Sequence, residues 1–179
     1  MVRDITKNMK WKVVESFDCR HNYIDMEGNT PVLRKGAISA KDNERVVIPL
    51  NMRDGVIIGR GLGNEDWNLT APHGAGRVLN KTEVKNRYTV TEYKKAMEGI
   101  YSPSIGSETL EEAPFAYRSP SIIEDAIKDS VKIESILKPV YNFKANKNES
   151  KQHGFKRMND KKKSNVRPRN ADRKRYRRQ

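Results

Sequence analysis

Ala71-Pro72-His73-Gly74-Ala75-Gly76-Arg77 sets a histidine between a proline and a run of small residues and closes the run with an arginine. Pro72 fixes φ and removes a backbone donor, while Gly74 and Gly76 let backbone N–H groups approach a bulky ligand with no Cβ in the way. Upstream, the β-branched Val56-Ile57-Ile58 reads as a strand; downstream, Lys81-Thr82-Glu83-Val84-Lys85 reads as helical. A histidine at such a junction sits where phosphates are commonly bound. From spacing alone the same residues equally make a tight glycine turn carrying a surface histidine, because short glycine motifs have many chance matches.

Further out, His21 to Arg60 is β-like. Tyr23-Ile24-Asp25, Val32-Leu33-Arg34, Val46-Val47-Ile48-Pro49 and Val56-Ile57-Ile58 are separated by Gly28-Asn29, Gly36, Asp42-Asn43 and Asp54-Gly55, which predicts short strands joined by turns. Arg34-Lys35-Gly36 and Asn51-Met52-Arg53-Asp54-Gly55 read as polar loops shaped for a ligand. Thr91 to Glu98, stopped by Gly99, predicts a helix with the glycine at C′. Residues 100–118 read as a long ordered loop. Ser121-Ile122-Ile123-Glu124 has the form of a capping box, and the apolar positions from Ile123 to Leu137 recur at helical spacing until Lys138-Pro139. The expected fold is α+β: mixed strands over residues 21–78 with helices near 82–87, 91–98 and 121–137. Trp11, Val13, Val14 and Phe17 are the candidates for burial in the first twenty residues.

Composition divides the chain at the same place as the pattern. Residues 1–144 carry 22 Lys/Arg and 20 Asp/Glu, a net of +2, whereas residues 145–179 carry 14 and 3, a net of +11. A hydrophobic fraction of 35% and a mean hydropathy of −0.89 are low for a chain that is all core. We therefore expect a folded region over 1–144 and a disordered basic tail over 145–179. Such a tail suits nucleic-acid phosphates through counterion release, and it equally suits a nuclear-type signal or an acidic partner. The lone Cys19 forms no internal disulfide and fits a reducing compartment, so a cytoplasmic location is expected. No apolar run is long enough for a membrane span, and three histidines with one cysteine are too few for a self-contained zinc site.

Four polar clusters stand in a fixed order: Arg20-His21-Asn22; Pro49-Leu50-Asn51-Met52-Arg53-Asp54-Gly55; Trp67-Asn68-Leu69-Thr70 with His73-Gly74-Ala75-Gly76-Arg77; and Asn142-Phe143-Lys144. Their order and spacing resemble the C-terminal half of the RtcB family of GTP-dependent RNA-splicing ligases, from about His21 to Lys144. Leu33-Arg34-Lys35-Gly36-Ala37-Ile38-Ser39-Ala40 and Glu112-Ala113-Pro114-Phe115-Ala116-Tyr117 look like that family too.

The resemblance implies a chemistry. His73 matches the histidine that attacks the α-phosphorus of GTP and becomes guanylylated, the covalent strategy of splitting one hard transfer into two. GMP then passes to an RNA 3′-phosphate, and the 5′-hydroxyl of a second RNA displaces it; 2′,3′-cyclic phosphate ends are opened first. Manganese is the implied metal. His21 matches a metal ligand that also lies at the nucleotide, Asn22 lies beside it, and Pro49, Leu50, Asn51 and Met52 match a loop following the nucleotide. Gly74, Ala75 and Gly76 complete the cradle after His73, and Lys144 matches a lysine that contacts the guanine nucleotide. Arg77 suits an RNA phosphate or a structural ion pair.

The chain departs from the family pattern in three ways. The Asp, Cys and two His that supply most of the two-metal site belong to an N-terminal half that is absent here; Cys19 stands where the family has no ligand; and Val56 replaces a serine common among relatives. The expectation is a ligase that needs a missing N-terminal half, the chain being a fragment of a longer gene, one half of a split enzyme with a separately encoded partner, or a degenerate copy, with RNA as substrate and no membrane partner. The alternative is a non-catalytic RNA-binding remnant acting through its tail.

Overall fold

The computed structural model describes residues 7–9, 11–26 and 30–144. The chain divides into two units, Met1–Asn142 and Phe143–Gln179, and the elements below lie in the first. The short β-branched runs form strands β1 (Asn22–Asp25), β2 (Val32–Lys35), β3 (Ala37–Ser39), β4 (Arg45–Asn51), β5 (Gly55–Gly61), β6 (Thr70–Pro72) and β7 (Val131–Leu137). Helices α1 (Lys81–Arg87), α2 (Val90–Ala96) and α3 (Pro120–Ile127) follow β6, with 3-10 turns at Glu65–Trp67, Leu110–Glu112 and Pro114–Ala116. The fold is α+β, as expected from the sequence.

All strand pairs are antiparallel. β1 pairs with β2 and β3 with β6 as two ribbons, while β4, β5 and β7 form a three-stranded sheet with β5 in the centre. β4 buries Val46, Ile48 and Leu50 on one face, the period of two that a strand imposes. These residues pack with Ile38, Ile57, Ala71 and Ala75 beneath Ile123, Ile127 and Val131. A second cluster gathers Val84, Tyr93, Met97, Leu110, Ala113 and Ala116 around Met52. Both short helices after the histidine are held by capping boxes, Asn80 with Glu83 and Thr89 with Glu92; each satisfies two otherwise unpaired helix-end donors. α2 ends at Ala96 with Met97 as its C-cap, so Gly99, at φ +85, lies one position beyond the C′ site expected for it.

Three expectations are overturned here. The helix drawn over 121–137 ends at Ile127, and Val131–Leu137 is strand β7, bonded to the open edge of β5 from Val56↔Leu137 to Gly61↔Val131. Val131 and Ile133 fit a period of two as well as a helical one, and the unpaired backbone of β5 decides between them. The helix start differs as well: Ser119 is the N-cap and Pro120 the first helical residue, so Ser121 and Glu124 are not a capping box. Trp11, Val13, Val14 and Phe17 are exposed. Residues 11–20 form no strand or helix, and Phe17 instead lies under the Arg45 guanidinium, 4.7 Å from ring centroid to Cζ. The Gly28-Asn29 turn lies outside the described residues, as does all of 145–179.

Candidate functional site

Strand register brings together two histidines that stand 52 positions apart in the chain. Lys35, the last residue of β2, pairs with Asn22, the first of β1. Ala37, the first residue of β3, pairs with Pro72, the last of β6. Gly36 is the single residue between β2 and β3, so the residue before β1 and the residue after β6 both converge on it. Those residues are His21 and His73. Their imidazole rings stack with centroids 5.0 Å apart and planes 6° from parallel, and both residues are solvent-exposed.

Gly36 forms the floor of this pair. Its amide donates to the His21 carbonyl at 2.9 Å and to Asn22 Oδ1 at 3.1 Å. Its φ of +65 is the left-handed region that favours glycine, and a Cβ there would stand 3.6 Å from His73 Cδ2 and Nε2. The loop after His73 is tied to β4: the Ala75 amide donates to the Pro49 carbonyl at 3.0 Å, and a Cβ on Gly74 would come within 3.2 Å of that oxygen. Gly76, at φ +66, accepts from the Arg118 amide at 3.2 Å. His21, Asn22 and His73 thus meet at Gly36, and the loop that follows His73 lies against the Pro49 carbonyl.

The other predicted residues play different structural parts. Leu50 and Met52 are buried side chains of the two cores, and the Tyr93 hydroxyl donates to Met52 Sδ at 3.0 Å, so only their backbone faces the loop. Asn51 holds the β4–β5 turn: its Oδ1 accepts from the Arg53 and Asp54 amides at 3.0 and 2.9 Å, and its Nδ2 donates to Asp54 Oδ2 at 2.7 Å. Burial pushes the Asp54 carboxyl up, but hydrogen bonds from Arg53 and Asn51, with the charges of Arg53 and Lys138, outweigh it and hold the group below its ordinary range. Ala75 is buried in the core. Lys144 belongs to the unit that begins at Phe143.

Arg77, left open between two roles, makes structural contacts. Its guanidinium donates to the Leu79 carbonyl at 3.1 Å, to the Tyr117 hydroxyl at 3.0 Å and to the Glu111 carbonyl, and it stands 3.6 Å from Glu112 Oε1. Tyr117 in turn donates to Glu112 Oε2 at 2.7 Å. Burial first, then this carboxylate, pushes the Tyr117 phenol up to about 12, against the opposing effect of Arg77. Cys19 is a half-buried free thiol whose Sγ donates to the Arg45 carbonyl at 3.5 Å. It lines a polar cavity of about 330 Å³ with Tyr23, Asp25, Ser39, Lys41 and Glu44, a space that His21 and His73 do not line. Among the described residues no group of three or more His, Cys, Asp or Glu could hold a metal ion, and no helix is long and apolar enough to cross a membrane.

Sequence reading missed one contributor. Arg34, expected both in the strand run Val32-Leu33-Arg34 and in a ligand loop with Lys35 and Gly36, lies in strand β2 and is buried against Asp25. Its only signal was the alternation of β2, which puts Arg34 on the face opposite the exposed Leu33.

An α+β fold whose two ribbons present paired imidazoles over a glycine turn is the class of protein that this geometry defines. A family model described as tRNA-splicing ligase RtcB matches residues 1–145, and the chain belongs to the RtcB family. It is 31% identical over 144 residues to a protein named RNA-splicing ligase RtcB1 of Escherichia coli, covering 78% of this chain and 35% of that protein. It is 33% identical over 131 residues to RNA-splicing ligase RtcB of Escherichia coli K12, covering 71% and 32%. A third relative, tRNA-splicing ligase RtcB of Pyrobaculum aerophilum, is 30% identical over 138 residues, covering 62% and 28%. The chain therefore spans about a third of the length of these relatives.

Proposed function

We propose that this chain is the nucleophile-bearing part of an RNA ligase that joins 2′,3′-cyclic-phosphate or 3′-phosphate ends to 5′-hydroxyl ends. The observation that carries this reading is the stacked His21–His73 pair over Gly36 in a chain of the RtcB family.

The His73 imidazole is the nucleophile. An imidazole nitrogen lone pair forms a bond to the α-phosphorus of GTP, the α–β phosphoanhydride bond breaks, and pyrophosphate leaves; nucleophilic catalysis of this kind needs an accessible, oriented group. The exposed ring, its stacked partner and the absence of a Cβ at Gly36 meet both needs. GMP is then transferred from His73 to an RNA 3′-phosphate, restoring the imidazole, and leaves when the 5′-hydroxyl of the second strand attacks that phosphorus. Asn22, the Pro49–Met52 backbone and Gly74, Ala75 and Gly76 border the nucleotide.

The exposed His73 ring and the small residues Gly74 and Gly76 that follow it support GTP as the nucleotide. Manganese does not fit the described residues alone, because His21 is a single ligand and no larger donor set accompanies it; no step is derived through the metal. In this proposal its remaining ligands come from polypeptide equivalent to the rest of the relatives' length, in the same protein or in a separate N-terminal partner. The domain division follows the same logic: residues 1–144 carry the site, and the basic residues 145–179 add affinity for RNA. A lone, half-buried thiol agrees with the reducing cytoplasm as the place of action.

Intact mass after incubation with GTP and manganese tests the proposal, for the chain alone and with the complementary part of a family relative, with His73→Ala as control. One GMP added to the wild-type chain and none to His73→Ala supports it. A folded chain that gains no GMP in either mixture refutes it and favours the non-catalytic RNA-binding reading.

A further inference from the structure

The β1–β2 ribbon is inverted relative to an ordinary amphipathic pair. Ile24 and Leu33, cross-strand partners, face solvent, while Asp25 and Arg34 face inward. Arg34 keeps 2% of its side chain exposed and Asp25 6%. Burying two charges is costly unless their bonds are well made, and an apolar pair often serves stability as well or better. What this pair does beyond stability lies in its third connection.

Arg34 Nε and Nη2 reach Asp25 Oδ2 at 3.2 and 3.1 Å, joining β2 to β1. Nη1 leaves the ribbon altogether: it donates to the Asn68 carbonyl at 3.3 Å and to Thr70 Oγ1. Thr70 is the first residue of β6, three positions before His73, and Asn22 to Asp25 is the strand that His21 leads into. Immediately before Thr70, Asn68 and Leu69 both hold positive φ, 51 and 53, a conformation non-glycine residues keep only when neighbours impose it. The Arg34 bond to the Asn68 carbonyl is one such constraint; the Ala40 amide donating to the Leu69 carbonyl at 2.8 Å is another. The covalent link between the two ribbons is Gly36, a residue with wide backbone freedom.

We propose that Arg34 is the positioning residue of the histidine pair: its guanidinium ties the ribbon that carries His21 to the ribbon that carries His73 and thereby sets their stacking. The planar fork of arginine suits this role because it serves an acid on one strand and two oxygens on another at once, which a lysine ammonium cannot do in a fixed plane. The consequence for catalysis rests on the proposed ligase reading; the geometry does not, and its test uses no nucleotide, metal or activity.

The test is an NMR cross-peak between the His21 and His73 ring protons in the full chain, read with the thermal midpoint. In the double variant Asp25→Leu/Arg34→Met the buried charges leave together, so neither is stranded, and the half-exposed Lys41 that also approaches Asp25 stays solvated. The expected result is loss of the cross-peak with a midpoint within a few degrees of wild type, whereas a merely structural role lowers the midpoint and leaves the cross-peak of the folded molecules intact. A cross-peak of wild-type intensity in the variant, or none in the wild type, overturns the proposal. Should the double variant fail to fold, Arg34→Lys gives the answer: it keeps a cation against Asp25 and loses the planar fork that also reaches Asn68 and Thr70, and there a weakened cross-peak supports the assignment while an unchanged one overturns it.

Discussion

Two alanine substitutions near the site separate backbone conformation from steric exclusion. Gly36 has room for a methyl group, since the nearest atoms to its Cβ position are His73 ring atoms at 3.6 Å, an ordinary van der Waals distance. Its penalty is the φ of +65, worth about 1–2 kcal/mol for a residue with a Cβ. Reduced freedom of the unfolded chain returns about 0.4–1 kcal/mol, so Gly36→Ala is expected to destabilise by about 1 kcal/mol. Gly61, buried on β5, is the opposite case. A Cβ there falls onto the backbone carbonyls of Ala40 and Lys41, and the same residue is anchored on both sides, its amide to the Glu44 carbonyl at 2.8 Å and its carbonyl to the Asn43 amide at 2.9 Å. Side-chain overpacking costs about 1–3 kcal/mol because rotamers adjust; here the obstacle is main chain, and relief requires breaking those bonds. Gly61→Ala should therefore reach the exceptional class of about 4 kcal/mol or more, most of the stability of an ordinary domain at the lower end of the range. Urea denaturation of wild type and both variants measures the difference. A Gly61→Ala protein within about 1 kcal/mol of wild type, or less affected than Gly36→Ala, would refute the close approach of β5 to residues 40–41.

Three further expectations follow from the same contacts. Because the Tyr117 phenol is raised from its ordinary value of 10 to about 12 in the folded chain, the folded state holds that proton longer than the unfolded one; its contribution is full below pH 10 and is lost as pH rises towards 12. Unfolding free energies measured across that window should fall less steeply in Tyr117→Phe, and identical slopes would contradict the assignment. Arg77→Met removes the donors to the Leu79 and Glu111 carbonyls and to the Tyr117 hydroxyl and leaves Glu112 with its Tyr117 bond but without this cation, and should lower stability by about 2–3 kcal/mol; a loss under about 1 kcal/mol would mark Arg77 as a solvated cation instead. Burial above all, then the charges of Glu44 and Asp18, raise the Cys19 thiol against the opposing Val47 amide, so iodoacetamide should label the native chain at pH 8 more slowly than the urea-unfolded chain. Equal rates would show that the site around Cys19 is open.

What was legible in the sequence was local. The β4–β5 hairpin follows from β-branched runs around Asp54-Gly55, and α1 and α2 from the helical reading of Lys81–Lys85 and of Thr91–Glu98 before Gly99, although the capping boxes that start both helices were not read. Residues 131–137 were misread because their apolar spacing satisfies two periods, and the information that selects the strand is held by β5, seventy residues away. For Arg34 the strand is legible in Val32-Leu33-Arg34 but the burial is not: arginine in a short polar run shows no partner until the register places it opposite Tyr23, with Asp25 and Thr70 within reach. The histidine pair combines both lessons. Residue types and glycines around His73 announced a candidate nucleophile, and family resemblance singled out His21, but nothing in either segment states that they touch. Their contact is a product of two registers and one hinge: Asn22 opposite Lys35, Pro72 opposite Ala37, and Gly36 between them. A one-residue slip in either ribbon would carry a histidine to the opposite face. The glycine hinge and the Arg34 strap hold those registers to one another, so the specificity of the site resides in residues that carry no reactive group.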